Sequence, residues 1–334
     1  MTGTTGATGS TDAADATGAT DGGAAGYRPL LFSIAYGMTG SVGDAEDLVQ
    51  DTFLALARAE SAGTAVADPR AYLTTAVTRL GINHLASARV RRESYVGQWL
   101  PEPVVTTAGR PGPAEHAELA DTLSMAFLVL LEALSPVERA VFTLREAFGY
   151  GYPEVARMVG RGEANCRQIL ARARKRLAAS GAGTEGAPGG APAAPARRAE
   201  GEELARRFFA AAEGGDLDAL LGMLAPDVVL RGDGGGKARA LARTLSGARV
   251  VAQLLAGGLR RVRRLGARLE PARVNGRPGA VVRDAEGLVL SVVELDVDAD
   301  GAVRAVHAVS NPDKLAHLGP LSRLGLLPVP EPPE

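Results

Sequence analysis

Apolar residues recur every three or four positions between residues 27 and 97, which is the spacing of amphipathic helices. The recurring positions are Leu30, Leu31, Ile34, Ala35, Leu48, Val49, Phe53, Leu54 and Leu56. Asp68-Pro69 predicts the start of a further helix, which extends from residue 70 to residue 88. This first block is therefore predicted to be all-helical.

A second helical block is predicted to contain a short helix, a turn and a longer helix. The short helix covers residues 153–159, the turn covers 160–162, and the long helix begins near Glu163. The apolar face of the long helix consists of Ile169, Leu170, Ala173 and Leu177. The cations of the turn and long helix are Arg161, Arg167, Arg172, Arg174, Lys175 and Arg176. A helix that is apolar on one side and basic on the other, after a tight turn, is typical of a DNA-reading helix-turn-helix.

In the third block the apolar pattern changes towards a period of two. Helices are predicted at 202–224 and 247–262, with a short strand at 227–230 between them. Four strand-like runs follow, and the turns between them are Asn275-Gly276, Glu286-Gly287 and Asp300-Gly301. The carboxylates that face away from the apolar side of the third run are Glu294, Asp296 and Asp298. This pattern predicts an antiparallel meander with helices on one face, an α+β architecture.

Composition limits the class of protein. The chain has 334 residues, 46% of them hydrophobic, which is enough for two or three small cores. Its net charge of −1 means that basic residues act as local patches. The single cysteine, Cys166, excludes a disulfide framework and fits a reducing cytoplasm. The N-terminus lacks the features of a signal peptide, and no apolar run is long enough to span a membrane.

Segments rich in alanine, glycine and proline mark the predicted boundaries. The predicted organisation is a disordered N-terminus at 1–26, a helical block at 27–97, a linker at 98–118, the helix-turn-helix block at 119–179, a second linker at 180–198, the α+β block at 199–318 and a C-terminal tail at 319–334.

Several stretches resemble one protein family. LFSIAYGMTGSVGDAEDLVQDTFLALAR resembles the core-polymerase-binding part of region 2 of the extracytoplasmic-function (ECF) sigma factors. DPRAYLTTAVTRLGINHLASARVRRESYVG resembles the part of region 2 that opens and reads the −10 promoter element. The helix-turn-helix block is similar to region 4, which reads the −35 element, and the third block resembles SnoaL-like domains of the cone-shaped NTF2-like fold. WLPEP, DGGGK and NPDKL resemble three marks of the SigJ-like subgroup, group 41.

The resemblance implies two all-α sigma modules and an α+β SnoaL-like domain that modulates their activity. Such a protein binds core RNA polymerase, at the β′ clamp and β flap, and directs promoter recognition in the cytoplasm. No catalysis, cofactor, metal, membrane contact or separate anti-sigma factor is expected. Two alternatives remain open: a one-component helix-turn-helix regulator with a ligand-sensing third block, and an enzyme carried on a DNA-binding body. The candidate acid–base residues of the third block form no recognisable constellation, and they are Asp227, Asp233, His307 and Asp313.

Three surfaces are predicted to bind macromolecules. Carboxylates beside apolar side chains suit docking on the polymerase clamp, and these residues are Asp44, Glu46, Asp47, Leu48, Asp51 and Phe53. Cations and polar groups suit the opened −10 element, and these residues are Arg79, Asn83, His84, Ser87, Arg89, Arg91 and Arg92. The predicted readers of −35 base edges are Arg161, Glu163, Asn165, Arg167 and Gln168. The predicted −35 phosphate contacts are Arg172, Arg174 and Lys175.

The three pentapeptides are predicted to form an interdomain regulatory contact. Two of the chain's three lysines, Lys237 and Lys314, lie in DGGGK and NPDKL, although arginine is preferred elsewhere, which indicates a need for a compact ammonium group. The hypothesis is that Glu102 of WLPEP pairs with one of these lysines while Trp99 fills an apolar pocket. The predicted contact residues are Trp99, Leu100, Pro101, Glu102, Pro103, Asp233, Gly234, Gly235, Gly236, Lys237, Asn311, Pro312, Asp313, Lys314 and Leu315.

Overall fold

The computed structural model describes residues 23–93, 95–106, 123–179 and 195–326, without the side chains of 88–93 and 195–196. The predicted disorder of the N-terminus, most of both predicted linkers and the end of the tail therefore lie outside the described residues. The helices of the first block follow a short 3₁₀ turn and are α1 (Arg28–Thr39), α2 (Val42–Ser61) and α3 (Pro69–Glu93). The Ser41 hydroxyl accepts a hydrogen bond from Asp44 N and so caps α2.

The second block is also helical. Its helices are α4 (Met125–Leu131), α5 (Pro136–Phe142), which continues as a π-helical turn, α6 (Tyr152–Val159) and α7 (Glu163–Ala179). A capping box explains where α5 begins, because Ser135 accepts from Glu138 N and Glu138 accepts from Ser135 N at 2.9 Å. The predicted all-helical character of both blocks is confirmed.

In its described residues, the third block combines four α-helices and a short 3₁₀ helix (Ala316–Leu318) with a sheet. The helices are α8 (Pro195–Gly214), α9 (Leu217–Leu221), α10 (Ala248–Arg264) and α11 (Pro312–Leu315). The strands are β1 (Val105–Thr106), β2 (Leu224–Asp233), β3 (Leu245–Ser246), β4 (Arg268–Val274), β5 (Arg277–Arg283), β6 (Val289–Val297) and β7 (Val303–Val309). They form one sheet in the order β1-β4-β5-β6-β7-β2-β3. Strands β4 to β7 are the predicted antiparallel meander, and β2 lies parallel to β7.

One predicted helix is wrong. The helix expected at 202–224 ends at Gly214, and Gly215 follows with a φ of 76°, a left-handed conformation that glycine tolerates. Asp216 then caps the separate helix α9 by accepting from Ala219 N at 3.0 Å. The chain enters β2 at Leu224, so this strand is longer than the predicted one.

Three apolar clusters are found in the part of the chain that the structure describes. The first contains side chains from both helical blocks, from Leu31 to Leu177, so α1 to α7 share a core. The second lies between one face of the sheet and helices α8 and α10. The third lies on the opposite face, here called the outer face, where Leu100 and Met125 pack against Val281, Val292 and Val309. Linker and α4 therefore cover a sheet face that an isolated third block would expose.

Candidate nucleic-acid interface and interdomain junction

The helix-turn-helix predicted from the sequence is present. Helix α6 ends at Gly160, whose φ of 64° lies in the left-handed region, and α7 begins at Glu163. The side chains that α7 buries in the first core are Cys166, Ile169, Leu170, Ala173 and Leu177. The predicted base readers are all exposed, and they are Arg161, Glu163, Asn165, Arg167 and Gln168. The first turns of α7 are thus accessible to a DNA groove.

The cations of α7 differ in their partners. Three of them form ion pairs, which are Arg167–Glu163 at 3.2 Å, Arg174–Glu146 at 2.7 Å and Arg176–Glu138 at 2.7 Å. Arg172 and Lys175 are exposed and form no ion pair within the residues that the structure describes. These two can therefore meet phosphate without breaking an ion pair, whereas Arg174 must first leave Glu146.

Arg79, a predicted −10 residue, is engaged inside the protein. Its Nε donates to the Met158 carbonyl at 3.3 Å, and its Nη2 donates to the Arg157 carbonyl at 3.1 Å. Both carbonyls lie in the last turn of α6, where helix carbonyls lack partners within the helix. Helix α3 is thereby tied to the helix that precedes the recognition helix.

The other −10 residues lie further along α3. His84 Nε2 is 3.1 Å from Asp44 Oδ2, so a predicted −10 residue contacts a predicted polymerase-docking residue. Asn83 and Ser87 are exposed, and the Ser87 hydroxyl donates to the Asn83 carbonyl at 3.2 Å. The side chains of Arg89, Arg91 and Arg92 lie outside the described part of the chain.

The predicted docking residues lie on α2, with Asp47 and Asp51 exposed. Leu48 is 6% exposed and belongs to the first core, so it cannot serve as the expected surface anchor. Leu54, which the sequence analysis did not single out for this role, is 49% exposed and shares a helix face with Asp47 and Asp51. Glu46 is also exposed, and Asp44 and Phe53 are half-buried. The sequence does contain a signal for this role of Leu54, because Asp51 and Leu54 follow Asp47 by four and seven positions, which places all three on one face of a helix.

The three pentapeptides meet at one buried cluster. Asp233 is fully buried, and its Oδ2 accepts from Leu100 N at 2.8 Å and from Lys314 Nζ at 2.7 Å. The Lys314 ammonium also donates to the Leu100 carbonyl and lies 4.2 Å from the centroid of the Trp99 ring and 4.7 Å from that of Tyr95. We call these five residues the interdomain junction. The two ring contacts are favourable cation–π interactions and explain a compact cation at position 314.

Within the junction, Tyr95 forms two further hydrogen bonds. Its hydroxyl donates to Asp233 Oδ1 and accepts from Asn311 Nδ2 at 2.8 Å. Burial, reinforced by the Asp233 carboxylate, raises the pKa of Tyr95, which keeps its hydroxyl protonated as a donor. Lys237 forms a separate pair with Asp313 at 2.6 Å, and both side chains are more than half exposed.

The expected pairing of Glu102 with a lysine is wrong. Glu102 accepts from the Ser41 hydroxyl at 2.8 Å, from Val42 N at 2.7 Å and from Gly43 N at 3.3 Å. These groups form the N-terminus of α2, which attracts a carboxylate through its free N–H groups and its dipole. Lys314 already has a buried carboxylate in Asp233, so WLPEP bridges the first block and the third block at the same time.

Asn275, predicted only as a turn residue, connects three parts of the chain. Its Nδ2 donates to the Tyr36 hydroxyl at 2.7 Å and to the Leu123 carbonyl at 2.9 Å, and its Oδ1 accepts from Val104 N at 3.1 Å. The Tyr36 hydroxyl in turn donates to the Glu102 carbonyl at 2.6 Å. The Asn-Gly dipeptide indicated a turn, but nothing local indicated these distant partners.

Gly235 of DGGGK is expected to tolerate no side chain. Its φ is +58°, and a Cβ placed there would lie 2.3 Å from Asn311 Nδ2. We expect Gly235→Ala to lower the free energy of unfolding of the third block by about 1–3 kcal/mol, because it adds backbone strain and displaces Asn311. Thermal unfolding checks this. Gly257→Ala, in the open interior of α10, is the matched control and is expected to be stabilising. Equal melting temperatures for Gly235→Ala and the wild type would contradict the expectation.

His307 has a partner that the sequence analysis missed. Its Nδ1 lies 2.6 Å from Glu294 Oε2, and both side chains are fully buried. Burial raises the pKa of Glu294, although the hydrogen bond to His307 opposes the rise. The Oε1 atom of Glu294 has no hydrogen-bond partner within the described residues. Glu294 faces away from the apolar side of β6 as predicted, but the linker and α4 bury that face.

Neither a metal cluster nor a membrane span is found in the described residues. Across 23–93, 95–106, 123–179 and 195–326, no three His, Cys, Asp or Glu side chains are placed to hold a metal ion. The helices described there lack the length and apolar character that a membrane crossing requires.

Two family models match the helical blocks. The model of Sigma-70 region 2 matches residues 24–91, and that of Sigma-70, region 4 matches residues 124–177. The matches fall on helices α1 to α3 and α4 to α7, and the second includes the helix-turn-helix.

Relatives extend the similarity to the third block. The ECF RNA polymerase sigma factor SigJ of Mycobacterium tuberculosis is 39% identical over 297 residues, covering 86% of this chain and 90% of SigJ. The probable ECF sigma factor SigI of the same species is 34% identical, covering 60% of this chain and 66% of SigI. The crystal structure of SigJ matches with a TM-score of 0.68 at 36% identity, covering 88% of this chain and 97% of that structure. The chain belongs to the extracytoplasmic-function family of RNA polymerase sigma factors.

Proposed function

We propose that this sigma factor has a closed state, which the third block stabilises and which must open before the −35 and −10 elements are read together. The observation that carries the proposal is the contact of Arg79 on α3 with the end of α6, at 3.3 and 3.1 Å. As a sigma factor, the chain binds core RNA polymerase and directs transcription initiation. No observation favours a one-component regulator.

Promoter geometry supports this proposal. The −35 and −10 elements are about 25 base pairs apart, which is roughly 85 Å of duplex at about 3.4 Å per base pair. In this structure α3 contacts α6, and the two helical blocks share a single apolar core. The two reading surfaces therefore lie too close together to span both elements. Opening has to break the Arg79 contacts and part of the shared core.

The predicted sites keep their roles within this proposal. The exposed first turns of α7 read base edges of the −35 element, and Arg172 and Lys175 contact its phosphates. Asn83, His84 and Ser87 hold the opened −10 strand, with Arg79 joining them after opening. The exposed carboxylates of α2, with Leu54 as apolar neighbour, dock on the β′ clamp, while the second block meets the β flap.

The third block serves as a built-in regulator in place of a separate anti-sigma factor. It holds the linker through Asp233 and Lys314, and it holds the first block through Asn275 and Tyr36. The linker also contacts the first block directly, because Glu102 caps the N-terminus of α2. This role requires no catalysis, since each contact acts by binding alone.

Run-off transcription with purified core polymerase tests the proposal. We compare the full chain with a version that ends at Ser180 and lacks the third block, at limiting core polymerase. Both are expected to yield promoter-dependent transcript, and the shorter version is expected to need less polymerase because fewer contacts oppose opening. Equal polymerase dependence would contradict the closed state. No transcript from either, with tight duplex binding by the chain alone, would favour the one-component regulator.

A further inference from the structure

A cavity of about 1160 Å³ lies between α4 and the outer face of the sheet, with the start of α8 along its rim. The α4 side is largely apolar and includes Val129, Leu130 and Ala133. The sheet side carries Arg231 and Arg277. The volume lies slightly above the range of about 300–1,000 Å³ that is typical of small-molecule pockets. This cavity is separate from the interdomain junction and from the helix-turn-helix.

Arg231 stands at the end of a row of polar side chains across three strands. In the sheet register Arg231 on β2 is opposite His307 on β7, and His307 is opposite Glu294 on β6. Arg231 Nη1 is 3.3 Å from His307 Nε2, and His307 Nδ1 is 2.6 Å from Glu294 Oε2. Because a guanidinium only donates, Nε2 must accept and the ring proton must reside on Nδ1. His307 therefore orients the Arg231 guanidinium through Nε2.

The lining of the cavity carries acids as well as arginines, among them Asp227, Asp296 and Asp298, but the surroundings of Arg231 leave room for an anion. Burial lowers the pKa of Arg231, and the Asp296 carboxylate partly offsets that effect. Asp296 Oδ1 also lies 3.9 Å from Arg277, so one carboxylate faces two guanidinium groups. Within the described residues, no carboxylate lies within ion-pair distance of Arg231. A mostly buried guanidinium in this position favours an anionic partner.

We propose that this cavity binds a small organic carboxylate, with its anionic group at Arg231 and Arg277 and its apolar body against α4. The carboxylate matches the fork of Arg231, and Val129 and Leu130 supply the apolar wall. Such a molecule touches region 4 through α4 and the third block through the sheet. Its binding is therefore linked to the separation of these blocks. That consequence rests on the closed state proposed above, but binding itself does not.

Fluorescence of anilinonaphthalene sulfonate, an apolar organic anion, provides the test on the full chain. We expect saturable binding that octanoate displaces and octylammonium does not. Arg231→Met is expected to weaken octanoate binding at least ~10-fold, which corresponds to loss of a charged hydrogen-bonded contact. Ala133→Trp keeps both arginines but fills the cavity, and it is expected to abolish probe binding there. Arg268→Met, at an exposed arginine outside the cavity lining, is the matched control.

Three results would overturn the assignment. The first is the absence of saturable probe binding to the wild type, as when another part of the chain closes the cavity. The second is that octylammonium displaces the probe as effectively as octanoate does. The third is that octanoate binding is unchanged in both Arg231→Met and Ala133→Trp. Because Ala133 is exposed, a fold defect in Arg231→Met leaves Ala133→Trp informative. The transcription experiment can fail without affecting this test, since binding is measured without polymerase.

Discussion

Replacing Lys314 by methionine is expected to release the linker from the third block. Lys314 is 6% exposed and its ammonium pairs with the fully buried Asp233, so its removal leaves an uncompensated buried carboxylate. Loss of one partner of a buried ion pair costs about 3–5 kcal/mol. The cation–π contact with Trp99 is lost as well. We expect a lower melting temperature and, because Trp99 is the only tryptophan, a red shift of its emission.

Lys237→Met is the matched control for this experiment. Lys237 also pairs with an aspartate, Asp313 at 2.6 Å, but the two side chains are 58% and 62% exposed. An exposed pair contributes about 0–1 kcal/mol, so the control is expected to melt near the wild type with unchanged emission. Similar behaviour of the two methionine variants would show that the junction does not hold the linker.

The double substitution Arg172→Ala and Lys175→Ala is expected to weaken binding to a −35 duplex by on the order of 50-fold at about 0.1 M salt. Both side chains are exposed on α7 and form no ion pair within the described residues. Each lost phosphate contact reduces the slope of log K against log salt by about 0.9, so the slope should fall by about 1.8. Fluorescence anisotropy across a salt series measures both quantities.

Two exposed arginines of α10 provide the control for this DNA-binding experiment. Arg263→Ala with Arg264→Ala removes the same charge from the third block, away from the helix-turn-helix. If non-specific attraction dominates, both double variants lose affinity equally. A wild-type salt slope in the α7 variant would exclude these two residues as phosphate contacts.

The DNA-reading module was predictable because its signals are local. Gly160 ends one helix, and the apolar stripe of α7 continues in register from Cys166 to Leu177. The apolar periodicity of a helix indicates which of its faces is buried, even when the element that covers this face is unknown. The helix expected at 202–224 failed for a local reason too. Gly215 and Asp216 mark the break in the sequence, but the apolar residues on both sides of them predict one continuous helix.

The partners of the junction were only partly predictable. The rare lysines and single tryptophan indicated that the pentapeptides belong together, and Lys314 does lie over the Trp99 ring. The sequence could not indicate which carboxylate meets Lys314, because several acids compete and the choice depends on tertiary geometry. Asp233 takes that place, and Glu102 takes the N-terminus of α2.

The burial of side chains on the outer face of the sheet could not be predicted from the alternation of apolar and polar residues. Alternation along β6 assigned Glu294 to the face opposite the apolar side, but an antiparallel sheet commonly leaves one face in water. Here Leu100 and Met125 cover that face, so Glu294 and His307 become fully buried. The segments that cover this face are distant in the sequence, so the local alternation along a strand does not indicate whether the face is buried.

Energy transfer between dyes on regions 2 and 4 tests the closed state most directly. Ala25→Cys and Ala178→Cys place labels at exposed positions ahead of α1 and near the end of α7. Cys166 is fully buried, and burial raises the pKa of its thiol, so it reacts little. We expect high transfer for the chain alone and a large fall when core polymerase and promoter DNA are added. Unchanged transfer in an actively transcribing complex would contradict the closed state.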